Sequence, residues 1–185
     1  MKTYETMPED LPRPIDDGAC DHLIGMKLPD IDLPATDGSV VNLSKQKRKT
    51  VVYCYPMTGK PGIPLPEGWD EIPGARGCTP QSCSFRDHHS ELFALGADIF
   101  GLSAQDTEYQ REMVERLHLP FLVLSDANFK FCELMRLPTF EASGMRLLKR
   151  VTMIADNNSV VGVHYPIFPS DSDAKWAIDQ LSHGI

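Results

Sequence analysis

The chain has 185 residues, 42% hydrophobic and 24% charged, with a formal net charge of −8. That length suits one domain with a full core. The acidic balance excludes nucleic acid as a partner, because binding a polyanion needs a basic face. No run approaches the ~18 apolar residues of a membrane span. The polar, proline-rich start has no apolar core of a signal peptide, so the expected compartment is cytoplasmic.

In chain order, residues 1–22 read as a loosely attached arm, with Pro8, Pro12 and Pro14 among the acids Glu5, Glu9, Asp10 and Asp16. The domain is expected over 23–185. Alternating apolar residues from Asp30 to Leu43 around Thr36-Asp37-Gly38 predict a hairpin. The short basic run Lys45 to Lys49 reads as a solvated turn. Thr50 to Tyr55 is a short apolar run ended by Pro56, the pattern of a buried central strand. Met57 to Gly77 has no periodicity and reads as loop. A helix should follow, with Thr79 as N-cap, Pro80 in the first turn and Phe85, Leu92 and Leu95 on its apolar side.

Asp98 to Ser103 predicts a strand, Thr107 to Leu117 an amphipathic helix with Met113, Val114 and Leu117 inward, Phe121 to Leu124 a strand, and Phe129 to Met135 a helix. Arg150 to Ala155 and Val160 to His164 read as two strands joined by a turn at Asp156-Asn157-Asn158, and Ala174 to Leu181 as a closing helix. Strands alternating with helices, then a hairpin and a helix, imply an α/β fold with a mixed central sheet flanked by helices. Neither a repeat nor a second domain is visible.

The cysteines are Cys20, Cys54, Cys78, Cys83 and Cys132. Five cannot all pair within one chain, and in a reducing compartment cysteines serve as fillers, ligands or catalysts rather than staples. Cys78 sits where a loop meets a helix start. Unpaired N–H groups and the positive helix end stabilise an anion there, and a thiolate is the reactive form of cysteine. A buried helix-end cysteine is the equally weighted structural reading. Cys83 lies five residues on. In one helix the two side chains point about 140° apart and are separated by about 7.5 Å along the axis, beyond the ~7 Å Cα limit for a disulfide. A bond between them therefore requires local unwinding. Cys54 and Cys132 read as core filler, and Cys20 as a thiol in the mobile arm, available for resolving or intermolecular pairing. His22, His118 and His164 read as structural.

The stretch Gly77-Cys-Thr-Pro-Gln-Ser-Cys-Ser-Phe-Arg-Asp87, after a strand ending Tyr55-Pro56, resembles the peroxiredoxin family, closest to its peroxiredoxin Q or bacterioferritin comigratory protein type. Supporting matches include Gly25 to Asp30, Leu119-Pro120-Phe121, Leu124-Ser125-Asp126 and Arg150 to Asp156. The resemblance implies a thioredoxin-like fold and reduction of hydrogen peroxide and organic hydroperoxides, without a metal or other cofactor. Cys78 would form a sulfenic acid and Cys83 would resolve it as an intramolecular disulfide. Thioredoxin or a glutaredoxin-like dithiol protein would then reduce that bond. Monomer and homodimer are both compatible with the resemblance. Arg150 matches the arginine that faces the thiolate in the family.

Two departures stand out. Cys78 follows Pro56 by 22 positions where the family's loop has seven, roughly 15 more, and long loops in compact domains are usually functional or disordered. The family's threonine, three residues before the cysteine, is Ala75 here. Counting from Pro56 gives Lys60, and Thr58 is the candidate to fold back and supply the hydroxyl. The extra loop reads either as a wall of the site anchored by Trp69 or as a solvated flap. Three rival functions remain open. One is a general thiol–disulfide oxidoreductase, although the pair is not Cys-x-x-Cys. The others are a zinc module on Cys78, Cys83, His88 and His89, and a non-catalytic redox sensor.

Overall fold

The computed structural model describes residues 10–185; the beginning of the expected arm, with Glu5, Pro8 and Glu9, lies outside the described residues. A small antiparallel hairpin pairs β1 (Leu33–Pro34) with β2 (Val40–Val41). The central strand β3 (Lys49–Cys54) follows, and the long loop from Met57 leads to α1 (Cys78–Asp87) and α2 (His89–Ala94). Next come β4 (Ala97–Ser103), α3 (Thr107–Leu117), β5 (Leu122–Ser125) and α4 (Lys130–Met135). A second hairpin, β6 (Thr139–Ala142) and β7 (Met145–Leu148), precedes β8 (Val151–Asp156), β9 (Ser159–His164) and α5 (Asp173–Ser182).

The main sheet has the order β5-β4-β3-β8-β9. β3 pairs parallel with β4 and antiparallel with β8, so the sheet is mixed. Side chains alternate along β3 as the two-residue period requires. Val52 and Cys54 enter one core with Leu102, Leu124 and Met153, covered by α4 and the first hairpin. Val51 and Tyr53 enter the other with Ile99, Val123 and Ile154, covered by α1, α2, α3 and α5. Both faces are buried, which is why β3 reads as a continuous apolar run.

Three expectations need correction, and one hairpin was not expected at all. The N-cap of α1 is Gly77, not Thr79: its φ of 108° lies in the left-handed region that glycine adopts without penalty, so the chain turns there and Cys78 becomes the first helical residue. The single helix expected from Thr79 to Leu95 is two, because the backbone at His88 leaves the helical region (φ −102°, ψ 8°) while its N and ring Nδ1 both lie at Ser84 O. The hairpin β6–β7 has no counterpart in the sequence reading, although Ser143-Gly144 at its turn, both with positive φ, is a legible signal. Cys20 is not on a mobile arm: it is 3% exposed, in one core with Leu23 and Leu28. Asp17 fastens this segment by accepting from Lys149 Nζ at 2.7 Å and Tyr165 OH at 2.8 Å. Those two donors hold the Asp17 carboxyl down to about 2.

Helix α1 is seated by aromatic stacking. Tyr53 of β3 stacks on Phe85 at 4.6 Å between ring centroids, meets Phe121 edge-on at 5.9 Å and donates to Ser82 Oγ at 3.1 Å. Its register partner is Gly101, where a Cβ would lie 2.8 Å from the Tyr53 ring and 3.2 Å from Val123. Glycine stands inside this strand because Tyr53 passes over it. Gly101→Ala is therefore expected to destabilise the protein by about 1–3 kcal/mol, the usual range for overpacking. Urea unfolding checks this, and an unchanged midpoint would contradict the packing described.

Candidate active site

Cys78 and Arg150 stand 72 positions apart and touch: Arg150 Nη2 lies 3.3 Å from Cys78 Sγ. Arg150 occupies the position just before β8, and β8 is hydrogen-bonded to the central strand, so the sheet sets where the guanidinium points. Cys78 opens α1 beside the left-handed turn at Gly77. Two positive influences thus converge on one sulfur: the N-terminal end of a helix and a guanidinium that carries its charge at every physiological pH. Both groups are buried, Cys78 at 3% and Arg150 at 4% exposure, which strengthens the interaction relative to water.

The guanidinium also shapes the chain before the cysteine. Nη2 donates to the carbonyls of Gly74 and Ala75 at 3.3 Å and of Arg76 at 3.2 Å. Nη1 donates to Gln81 Oε1. Arg150 Nε is buried without a partner among the described residues. The thiol itself faces Ala75 O at 3.7 Å. Three residues before the cysteine, then, this chain presents a backbone carbonyl where the resembling family has a hydroxyl.

Thr58 lies across a cavity of about 10 Å³ that it shares with Cys78, Leu65, Trp69 and Arg76. Its N and Oγ1 both donate to Gln105 Oε1, at 3.0 and 3.3 Å, and its carbonyl accepts from Tyr109 OH at 3.0 Å. The hydroxyl is therefore near the thiol's cavity but turned to Gln105. Lys60 points elsewhere, with Nζ 4.1 Å from the centre of the Tyr109 ring.

The long loop is a wall, not a flap. Trp69 is 3% exposed and packs with Ala75, Ala142 and Leu147, its ring 6.2 Å from that of Phe140. Hairpin β6–β7 is the surface on which this wall rests, so the two features unassigned or ambiguous in the sequence support each other.

Cys83 lies in the second turn of the same helix, half-buried against the core above the sheet. No disulfide joins the described cysteines. His88 meets Ser84 O at 2.9 Å, and the His89 ring lies against Phe93 and Phe121. The cysteines and histidines weighed for zinc do not converge, and Cys78 faces a cation instead. Gln81, Gln105 and Asp173, all at or next to the site, escaped the sequence reading. Gln81 lies inside the cysteine motif and could have been found there; Gln105 and Asp173 carry no local signal.

The other thiols differ sharply from Cys78 in surroundings. Burial pushes the Cys20 thiol up to about 12 and that of Cys132 to about 11, and it also raises Cys54 well above its usual range. Cys20 is thus a poor nucleophile, contrary to its expected availability. Cys54 and Cys132 are buried at 0% and 1% exposure, as filler should be.

Comparison with known proteins gives the chain's family and fold. Residues 23–178 match the family model described as Redoxin. The chloroplastic peroxiredoxin Q of Oryza sativa subsp. japonica is 35% identical over 142 residues, 76% of this chain and 58% of the rice protein. Peroxiredoxin Bcp of Bacillus subtilis is 36% identical over 111 residues, 60% of this chain and 61% of that protein. The chain thus spans about three fifths of the length of these relatives. Among solved structures, peroxidoxin BcpB of Mycobacterium tuberculosis superposes with a TM-score of 0.72 at 24% identity, covering 88% of this chain and 97% of that one. A Xanthomonas campestris bacterioferritin comigratory protein, studied for alkyl peroxide reduction, superposes at 0.67 with 17% identity, covering 94% of this chain and 98% of that one.

The buried thiols carry a pH prediction. An unfolded chain ionises its cysteines near 9, whereas the folded chain keeps Cys20 and Cys132 protonated to about 12 and about 11. Their contribution to stability is therefore complete below pH 9 and is lost as pH rises through those higher values. The urea midpoint should fall from about pH 9 upward, and less steeply in Cys132→Ala. Equal slopes in the two proteins would contradict this.

Proposed function

Because the chain belongs to the Redoxin family, in its peroxiredoxin Q and Bcp branch and with the thioredoxin-like fold of that branch, we propose that it is a thiol peroxidase whose attacking residue is Cys78. The observation that carries this reading is the Arg150 guanidinium 3.3 Å from Cys78 Sγ at the first residue of α1. A helix N-terminus and a guanidinium beside the sulfur place positive potential where an attacking sulfur carries its negative charge. The cavity beside the sulfur, about 10 Å³, is of the size that holds one water. It leaves room beside the sulfur for one oxygen atom, the one that a hydroperoxide presents to an attacking thiolate.

In the first step the Cys78 thiolate attacks the terminal oxygen of ROOH. The S–O bond forms, the O–O bond breaks, and RO⁻ leaves and takes up a proton. Cys78 becomes a sulfenic acid, oxidised by two electrons, and the peroxide is reduced to alcohol, or to water when R is hydrogen. Preorganised donors act where charge develops, on the departing oxygen, and Arg150 is the group placed to supply them. Thr58, across the cavity, is the side chain proposed to orient the substrate oxygen by turning from Gln105.

In the second step Cys83 attacks the Cys78 sulfur. The S–S bond forms, the S–O bond breaks and water leaves. Both cysteines belong to α1, and five helical residues separate their Cα atoms beyond disulfide reach. The first two turns of α1 must therefore unwind, giving up the buried contacts of Gln81, Ser82 and Phe85. A dithiol protein of the thioredoxin or glutaredoxin kind then takes up the oxidation by exchange, leaving its own pair as a disulfide. The dependence on reduced thiols fits a cytoplasmic type of compartment.

Treatment with one equivalent of hydrogen peroxide, followed by mass spectrometry, tests this scheme. A Cys78–Cys83 disulfide is expected in the wild type and a trapped sulfenic acid on Cys78 in Cys83→Ser. Undiminished peroxide consumption by Cys78→Ser would overturn it.

A further inference from the structure

We propose that Asp173 is a positioning residue for Cys78, acting through the amide of Gln81 to hold the Arg150 guanidinium against the sulfur. The inference rests on the peroxidase reading only for the identity of the substrate; the geometry stands on its own.

Asp173, the first residue of α5, is 0% exposed. Its Oδ2 accepts from Gln81 Nε2 and from Thr152 Oγ1, both at 2.6 Å. Its Oδ1 lies 2.9 Å from His164 Nδ1, whose ring stacks on Trp176 with centroids 4.7 Å apart. Four elements, α1, β8, β9 and α5, thus meet on one carboxylate. Gln81 is also 0% exposed, and its Oε1 accepts from Arg150 Nη1.

The chemistry of the three groups leaves one arrangement. A carboxylate only accepts and a guanidinium only donates. An amide between them satisfies both in a single orientation, with NH₂ toward Asp173 and C=O toward Arg150. The flipped amide would face oxygen to oxygen on one side and N–H to N–H on the other. In a buried network such mismatches are costly, so the carboxylate dictates which end of Gln81 Arg150 meets. With Nη1 held by that carbonyl, the planar fork carries Nη2 to Cys78 Sγ and to the three carbonyls before it. Arg150 itself forms no ion pair among the described residues, so the carboxylate reaches it only through the amide and acts by fixing where the fork points.

This makes a specific suppression test possible. Gln81→Glu places a carboxylate against Asp173, and the two repel. Gln81→Glu with Asp173→Asn restores a single carboxylate, now accepting from Arg150 on one side and from the introduced amide on the other. Three variants are compared with the wild type: Gln81→Glu, Asp173→Ala and the Gln81→Glu/Asp173→Asn double. The readouts are the second-order rate of hydrogen peroxide with the protein and the alkylation rate of Cys78 by iodoacetamide at pH 7, with thermal melting to confirm folding. Both single variants should slow both reactions at least fivefold, and the double should return to within about threefold of wild type. Unchanged rates in folded single variants, or no recovery in the double, would overturn the proposal. Because alkylation needs no peroxidase activity, a wild type inert to peroxide would defeat the functional reading while leaving the alkylation result to decide the role of Asp173.

Discussion

A guanidinium taken out of water demands partners, and the demand organises this molecule. Arg150 is buried, and its Nη groups bind the carbonyls of Gly74, Ala75 and Arg76, the side chain of Gln81 and the sulfur of Cys78. The loop that precedes α1, the helix itself and strand β8 are thereby tied to one planar fork. Moving any one of them would leave a buried charge short of acceptors, a penalty of several kcal/mol in typical proteins. The sheet fixes the arginine, the arginine fixes the loop, and the loop delivers Cys78 to the end of α1.

The 57–77 segment becomes intelligible in the same terms. Its end supplies the three carbonyls, and its middle packs Trp69 onto the β6–β7 hairpin. The extra length closes over the thiol and leaves only a small cavity beside it. Burial of both groups strengthens the action of the guanidinium on the sulfur. Helical spacing keeps Cys78 and Cys83 apart while α1 is intact. In the proposed mechanism rigidity serves the first chemical step and unwinding the second, a tension shared by sites whose elements lie near a free-energy balance.

Much of this was legible from the residues, for physical reasons. The strands of the main sheet show period two or continuous apolarity because their burial is decided locally, and their positions hold to within a residue. The Gly77-to-Asp87 stretch announces a helix start because proline fits a first helical turn, although the cap is Gly77, whose freedom at positive φ allows the turn, rather than Thr79. What escaped depends on distant pairings. Asp173 meets Gln81 across 92 positions, and nothing near either residue hints at the other. Trp69 lies in an aperiodic segment whose burial depends on a hairpin about 70 residues later. Cys20 looked mobile because its neighbours are polar and include proline, yet Asp17 reaches Lys149 across 132 positions and pins the segment down.

The contact between Arg150 and Cys78 is most directly probed by replacing the arginine with a residue of similar length and no charge. The second-order rate constant of Cys78 with hydrogen peroxide, followed by stopped-flow in the wild type and in Arg150→Met, should fall on the order of a hundredfold or more, the size of effect seen when one preorganised donor is removed from a buried site. A folded Arg150→Met protein that reacts as fast as the wild type would contradict the role given to the guanidinium.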